Sequence, residues 1–181
     1  FTFAGNIGAV QNLENIIESF SKLDGKYLNR VQLNIIGDGS YLGKLKSILK
    51  EKGIKNIIFW GRKAREEIYK YLEASDFLIV SLIDKEIFSL TVPAKTQTYI
   101  AAGKPILAIM NGEATDIIRE YNLGLIAAPN DIDEIKSIFE IAILQDPQER
   151  EIYSKNSEYL TNSIFNKALI IENLLALIKR G

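Results

Sequence analysis

The chain is 181 residues long and 47% hydrophobic, with 22 basic against 23 acidic side chains and neither cysteine nor histidine. That length suffices for one buried core, and the balanced charge, without any block of Lys and Arg, argues against nucleic acid as a partner. Lack of cysteine excludes disulfides and thiolate metal sites, and lack of histidine removes the commonest general base and metal ligand. Any chemistry must therefore rest on carboxylates, hydroxyls, lysines or backbone groups.

The chain opens as FTFAG, without methionine and already of strand character, and is read as a piece of a longer protein. Residues 1–4 form the first short apolar run, followed by a segment of helical period over 13–23. A second strand is expected over 31–36. Next comes a helix over 41–52, in which Leu42, Leu45, Ile48 and Leu49 share one face while Lys44, Lys46, Lys50 and Lys52 stay in water. The alternation continues with strands over 57–60, 77–82, 106–110 and 125–127 and helices over 65–74, 95–102 and 115–121. Strands this continuously apolar, separated by helices, predict right-handed crossovers and an α/β fold: a Rossmann-like, doubly wound, parallel six-stranded sheet. Three further helices, over 132–144, 148–160 and 164–179, follow without intervening strands, with Asp131 and Asp146-Pro147 as start signals. No apolar run approaches the ~18 residues of a membrane span, and no signal peptide is seen.

Ligands of such sheets bind outside the carboxyl ends of the strands, which puts the strand-to-helix loops first. The loop Gly5-Asn6-Ile7-Gly8 suits phosphate at the following helix start, and its glycines equally suit a tight turn. In Gly37-Asp38-Gly39-Ser40, Asp38 or Ser40 is expected to cap the helix opening at Tyr41. Arg62, in Gly61-Arg62-Lys63, is either a phosphate or base contact or a solvated surface charge. The long loop over 81–95 carries Ile87, Phe88, Leu90 and Val92, which predict a segment packed down on the domain, with Asp84, Lys85 and Glu86 in solvent. Pro93 then suits the first turn of a helix ended by Gly103 and Pro105. Small residues inside it, Thr96, Thr98, Ala101 and Ala102, allow close approach of the sheet or of a ligand. Glu113 and Asp116 read as helix-dipole partners of the next helix.

The ordered set FAGNIG, LNIIGDG, NIIFWGR, ASDFLIVSL, VPAKTQTYIAAGKPILA, NGE and NLGLIAAPND resembles the C-terminal, nucleotide-sugar-binding domain of GT-B glycosyltransferases, in the family 4 group of glycosyl transferases group 1. Its VP-x-K…Y-x-AAGKP form is most similar to the bacterial branch that includes N-acetylfucosaminyl transferases of surface-polysaccharide assembly. The resemblance implies that residues 1–181 are the donor half of a retaining enzyme. That enzyme would transfer a sugar, from a UDP-sugar, to a growing cell-surface or capsular polysaccharide or a lipid-linked glycan. It further implies a cytoplasmic location, peripheral to the inner face of the membrane in the full-length protein. Neither metal nor other cofactor is implied. The partners are the nucleotide-sugar donor, the glycan or lipid-linked acceptor and an N-terminal acceptor-binding domain of the same full-length chain, without which this half is expected to be inactive.

By the same resemblance Gly5, Asn6 and Gly8 approach the diphosphate, and Gly61, Arg62 and Lys63 lie beside the base. Pro93, Lys95, Thr96, Gln97 and Thr98 lie beside diphosphate and ribose. Two glutamates usual in the family are replaced, at Leu90 and Thr98, and Gln11 stands where many relatives have lysine. Asp84 and Glu86 are the substitutes at hand for the first glutamate. The replacements keep two alternatives open: a nucleotide-sugar-binding module without catalysis, and a GT-B-fold epimerase acting on UDP-N-acetylhexosamine.

Overall fold

A computed structural model describes residues 1–166 together with Ile171, Glu172, Leu175 and Ile178. Its centre is a six-stranded parallel sheet of order β3-β2-β1-β4-β5-β6, formed by β1 (Thr2–Ala4), β2 (Leu33–Ile36), β3 (Ile57–Gly61), β4 (Leu78–Ser81), β5 (Ile106–Ile109) and β6 (Gly124–Ala127). The helices α1 (Leu13–Ser21), a short α2 (Gly25–Leu28), α3 (Leu42–Lys52), α4 (Arg65–Glu73), a short α5 (Glu86–Ser89), α6 (Ala94–Ala101) and α7 (Glu113–Glu120) connect them. Two tail helices, α8 (Ile132–Leu144) and α9 (Pro147–Asn162), follow. The helix expected over 164–179 falls mostly on residues outside those described. Among the described residues no helix is long and apolar enough to cross a membrane.

Strand side chains alternate between two buried layers, as the two-residue period demands. Phe3, Ile35, Ile79 and Leu107 pack under α1, α3 and α8. Ala4, Ile36, Leu78, Val80 and Ala108 pack under α4, α6, α7 and α9. Asp131 caps α8 by accepting from the Asp133 and Glu134 backbone N–H groups at 3.0 and 2.9 Å. At α9, Asp146 and Glu149 exchange bonds of 2.9 Å each with the other's backbone N–H, with Pro147 at the first helical position.

Two expectations are corrected. Neither Asp38 nor Ser40 caps α3, whose N-cap Tyr41 makes no side-chain capping bond; Asp38 Oδ1 instead accepts from the Gly39 N–H at 2.8 Å within its own turn. Nor is the loop after β4 packed down throughout. Phe88 and Val92 lie against the core, whereas Ile87 and Leu90 are 68% and 73% exposed; within the short α5 the neighbours Ile87 and Phe88 face different ways.

Beyond the strand ends, the loops after β1 and β2 continue side by side. Gly5 N–H donates to Ile36 O at 2.9 Å, Ile7 N–H to Asp38 O at 2.8 Å and Tyr41 N–H to Ile7 O at 3.0 Å. This close approach is what the Gly-Asp-Gly sequence serves: a Cβ on Gly37, at φ +139°, would lie 1.8 Å from the Gly5 carbonyl oxygen. One on Gly39 would lie 2.2 Å from that of Ile7. Gly37→Ala is therefore expected to cost at least about 2 kcal/mol in chemical denaturation, by backbone strain and overpacking. Gly43→Ala, in α3 with nothing within 4 Å of the new methyl, is expected to stabilise by about 0.5–1 kcal/mol. Equal effects of the two changes would contradict the packing described.

Candidate functional site

β1 meets β4 at one residue pair, Thr2 with Leu78, whereas it follows β2 over three. The sheet divides here, at the topological switch point where its strand order reverses. Past the last pairing, the Ala4 backbone has no strand partner on the β4 side. Tyr99 of α6, 1% exposed, supplies one: its hydroxyl accepts from Ala4 N–H at 3.0 Å and donates to Ala4 O at 3.2 Å. Burial pushes the phenol up to about 12, so it remains a donor at any physiological pH. This bond sets the first turn of α6 against the end of β1, and with it Lys95 against Gly5.

The Lys95 Nζ sits 3.9 Å from the centroid of the Phe3 ring and 3.2 Å from where a Gly5 Cβ would be. The ammonium nitrogen is buried and has no hydrogen-bond partner among the described residues. Desolvation holds its pKa down to about 7, from an ordinary 10.5. A ring face offers roughly 0.5–2 kcal/mol to a cation, less than several kcal/mol for taking an unpaired charge out of water.

Two cavities flank this point. The smaller, of about 290 Å³, is lined by Ala4, Gly5, Lys95 and Thr98 and by the α4 face carrying Arg65 and Tyr69; among the described residues no carboxylate lines it. The larger, of about 500 Å³, is lined by Gly5, Asn6, Gly37, Asp38, Arg62, Lys63 and Arg65. Three cations thus face one acid there. The loop after β1 is held rigidly between them: Ser81 Oγ donates to Gln11 O at 2.8 Å, Ile83 N–H to Val10 O at 2.9 Å and Asn12 Nδ2 to Pro129 O at 2.6 Å.

Of the residues singled out in the sequence, the structure gathers Gly5, Asn6, Arg62, Lys63, Lys95 and Thr98 at the two cavities. Gly8, Gly61, Pro93, Thr96 and Gln97 line neither. Gly8 N–H is committed to Gln11 Oε1 at 2.9 Å, so Gln11 braces the loop. Thr96 is buried with an unpartnered hydroxyl, and the Thr98 hydroxyl donates to Ala94 O at 3.2 Å. Asp84 accepts from Asn111 Nδ2 at 3.1 Å, and with the exposed Glu86 it lies outside both cavities. Two residues escaped the sequence reading. Tyr99 looks like any core aromatic until its hydroxyl is placed, and Arg65 looks like a solvated helix start; a basic residue following the Arg62-Lys63 pair was the available signal.

Residues 1–159 match the family described as Glycosyl transferases group 1. The probable glycosyltransferase WbjE of Pseudomonas aeruginosa is 33% identical over 144 residues, which cover 75% of this chain and 35% of that protein. Among solved structures, Anabaena Alr3699/HepE in complex with UDP superposes with a TM-score of 0.83 at 16% identity, over 99% of this chain and 48% of that one. The C-terminal domain of LpcC from Francisella tularensis, a glycosyl transferase group 1 family protein, gives 0.72 at 20% identity, over 92% of this chain and 85% of that domain. The chain therefore spans between a third and a half of the length of WbjE and of HepE.

An uncompensated buried ammonium opposes folding in the absence of a ligand. Below pH 7 folded and unfolded chains both carry the proton, and the full penalty is present; between 7 and 10.5 the unfolded chain holds the extra proton, so rising pH favours the fold. Lys95→Met is expected to stabilise the ligand-free chain by about 1–3 kcal/mol near neutrality. Measured by denaturation against pH, that gain should shrink as pH rises through this window. A destabilised variant, or a gain that grows with pH, would contradict the burial of the charge.

Proposed function

From the premise that the chain belongs to the glycosyl transferases group 1 family, we propose that it is the donor-binding half of a retaining glycosyltransferase. It holds a UDP-sugar at the switch point while an N-terminal domain of the full-length protein presents the acceptor. One observation carries the reading: the partnerless Lys95 ammonium beside Gly5, at the first turn of α6. In glycosyl transfer the bond from the sugar C1 to the diphosphate breaks and a bond from C1 to an acceptor oxygen forms. The leaving diphosphate gains negative charge as its bond to C1 opens, and its departing oxygen then takes the proton that the acceptor hydroxyl gives up. A cation without a counter-ion, reinforced by the positive end of a helix, gains most in the state where that charge is greatest. The complex of HepE with UDP supports the choice of base. Similarity to WbjE, a probable glycosyltransferase, supports sugar transfer, and we read the branch as that of N-acetylfucosaminyl transferases, acting at the cytoplasmic face on a lipid-linked or polysaccharide acceptor. The reading calls on no metal: Lys95 and the α6 N-terminus meet the charge.

The rival reading, a nucleotide-sugar-binding module without transfer, is favoured by Leu90 and Thr98. Leu90 is exposed and apolar, and Thr98 is a neutral group bonded to its own helix. Release of UDP by the full-length protein in the presence of acceptor separates the two. For the binding site itself, Lys95→Ala should weaken UDP about 10–100-fold, the worth of a charge-assisted bond, with uridine changed less than about twofold. Calorimetric titration decides: equal weakening of both ligands refutes the phosphate role, and a folded wild-type chain that binds no UDP below the millimolar range refutes the donor-site reading.

A further inference from the structure

The loop after β1 is the natural place for a phosphate-binding cation, and here it has none: from Gly5 to Asn12 it contains no Lys or Arg. Asn6 is exposed and neutral, and Gln11 braces Gly8. The positive charge at the switch point comes instead from the β3–α4 connection and from α6. Among the described residues only Gly5, Ile68 and Arg65 line both cavities, and Arg65 is the charged one. Lys63 and Arg62 belong to the larger cavity alone, and the Lys63 ammonium lies 5.8 Å over the Tyr71 ring.

Arg65 is also uncommitted. Arg119 and Arg150 each hold a carboxylate at 2.8 Å, whereas Arg65 has no ion pair or hydrogen bond among the described residues. Its first turn carries two acids, Glu66 and Glu67; neither forms an ion pair with it among the described residues, and Glu67 is engaged in accepting from the Ala64 N–H at 3.0 Å. A guanidinium at the boundary of two cavities, with a buried and unpartnered ammonium in one of them, marks where a doubly charged group spanning both would lie. Its planar fork can hold two phosphate oxygens at once, which an ammonium cannot.

We propose that Arg65 is the second diphosphate-binding residue of the donor site, acting with Lys95 in place of cations from the loop after β1. The proposal rests on the donor-site reading, and its test separates the two. UDP, inorganic pyrophosphate and uridine are titrated by calorimetry into the wild-type chain and into Arg65→Ala, Arg65→Lys and Arg62→Ala, with near-UV circular dichroism confirming the fold of this exposed position. Arg65→Ala is expected to weaken UDP and pyrophosphate at least about tenfold and uridine less than about twofold. Arg65→Lys should fall between, since charge returns without the fork. Arg62→Ala, in the larger cavity alone, should shift uridine and UDP by the same factor. UDP affinity of Arg65→Ala within twofold of wild type, or equal losses of UDP and uridine, overturns the role of Arg65 while leaving the donor site standing. Failure of the wild-type chain to bind UDP overturns both.

Discussion

A lysine ammonium removed from water with no carboxylate beside it is the constraint around which this end of the molecule is arranged. Lys95 reaches that position because α6 is moored to β1 by the Tyr99 hydroxyl, and the mooring is available because β1 and β4 part after one residue pair. Gly5 leaves room for Nζ, and the Phe3 ring gives it a partial substitute for solvent. The buried charge is costly in the ligand-free chain, and the ring offsets that cost only in part. Together they describe a cavity made for a negative charge that the protein does not itself supply, the pattern by which functional sites retain local instability.

The remainder of the fold bears that instability by being conventional elsewhere. At the opposite end of the strands, Phe1, Phe20, Phe77 and Phe139 form an aromatic cluster with centroid separations of 4.9 to 6.2 Å, one pair, Phe1 with Phe77, stacked and the others edge-to-face, close enough for ring–ring attraction in addition to burial. Both tail helices begin on aspartate caps, and α8 and α9 cover opposite faces of the sheet. Rigidity is carried to the site by the loop after β1, tied to β2 through the glycines of Gly-Asp-Gly and to β4 through Ser81. A phosphate-sized group arriving there meets a preformed surface, so little ordering cost is subtracted from its binding.

All six strands were legible in the sequence because parallel strands covered by helices read as unbroken apolar runs, even at the half-buried edges β3 and β6, and the tail helices because their start signals are chemical. Lys95 could be singled out by its place in a punctuated small-residue helix. Its lack of a partner could not, since that depends on which face of α4 the crossovers bring beside it: Arg65, Ile68, Tyr69 and Leu72 line the cavity, and the acids of that helix do not. Arg65 and Tyr99 share this difficulty: the worth of an arginine or a tyrosine hydroxyl lies in what the topology sets across from it. The loop after β4 misled for a related reason, as four apolar residues in sequence say nothing of how a short turn distributes them.

In the proposed enzyme, binding and catalysis draw on one property, a cation whose charge is most stable when a diphosphate faces it. Binding should then restore the proton that burial removes. The most direct measurement is calorimetric titration of UDP at pH 8 in buffers of different ionisation heat, where the ligand's terminal phosphate is already ionised. The account predicts uptake of about one proton per UDP bound by the wild-type chain and none by Lys95→Met. A binding heat independent of buffer in the wild-type chain would show that Lys95 does not change its charge on binding, and would contradict it.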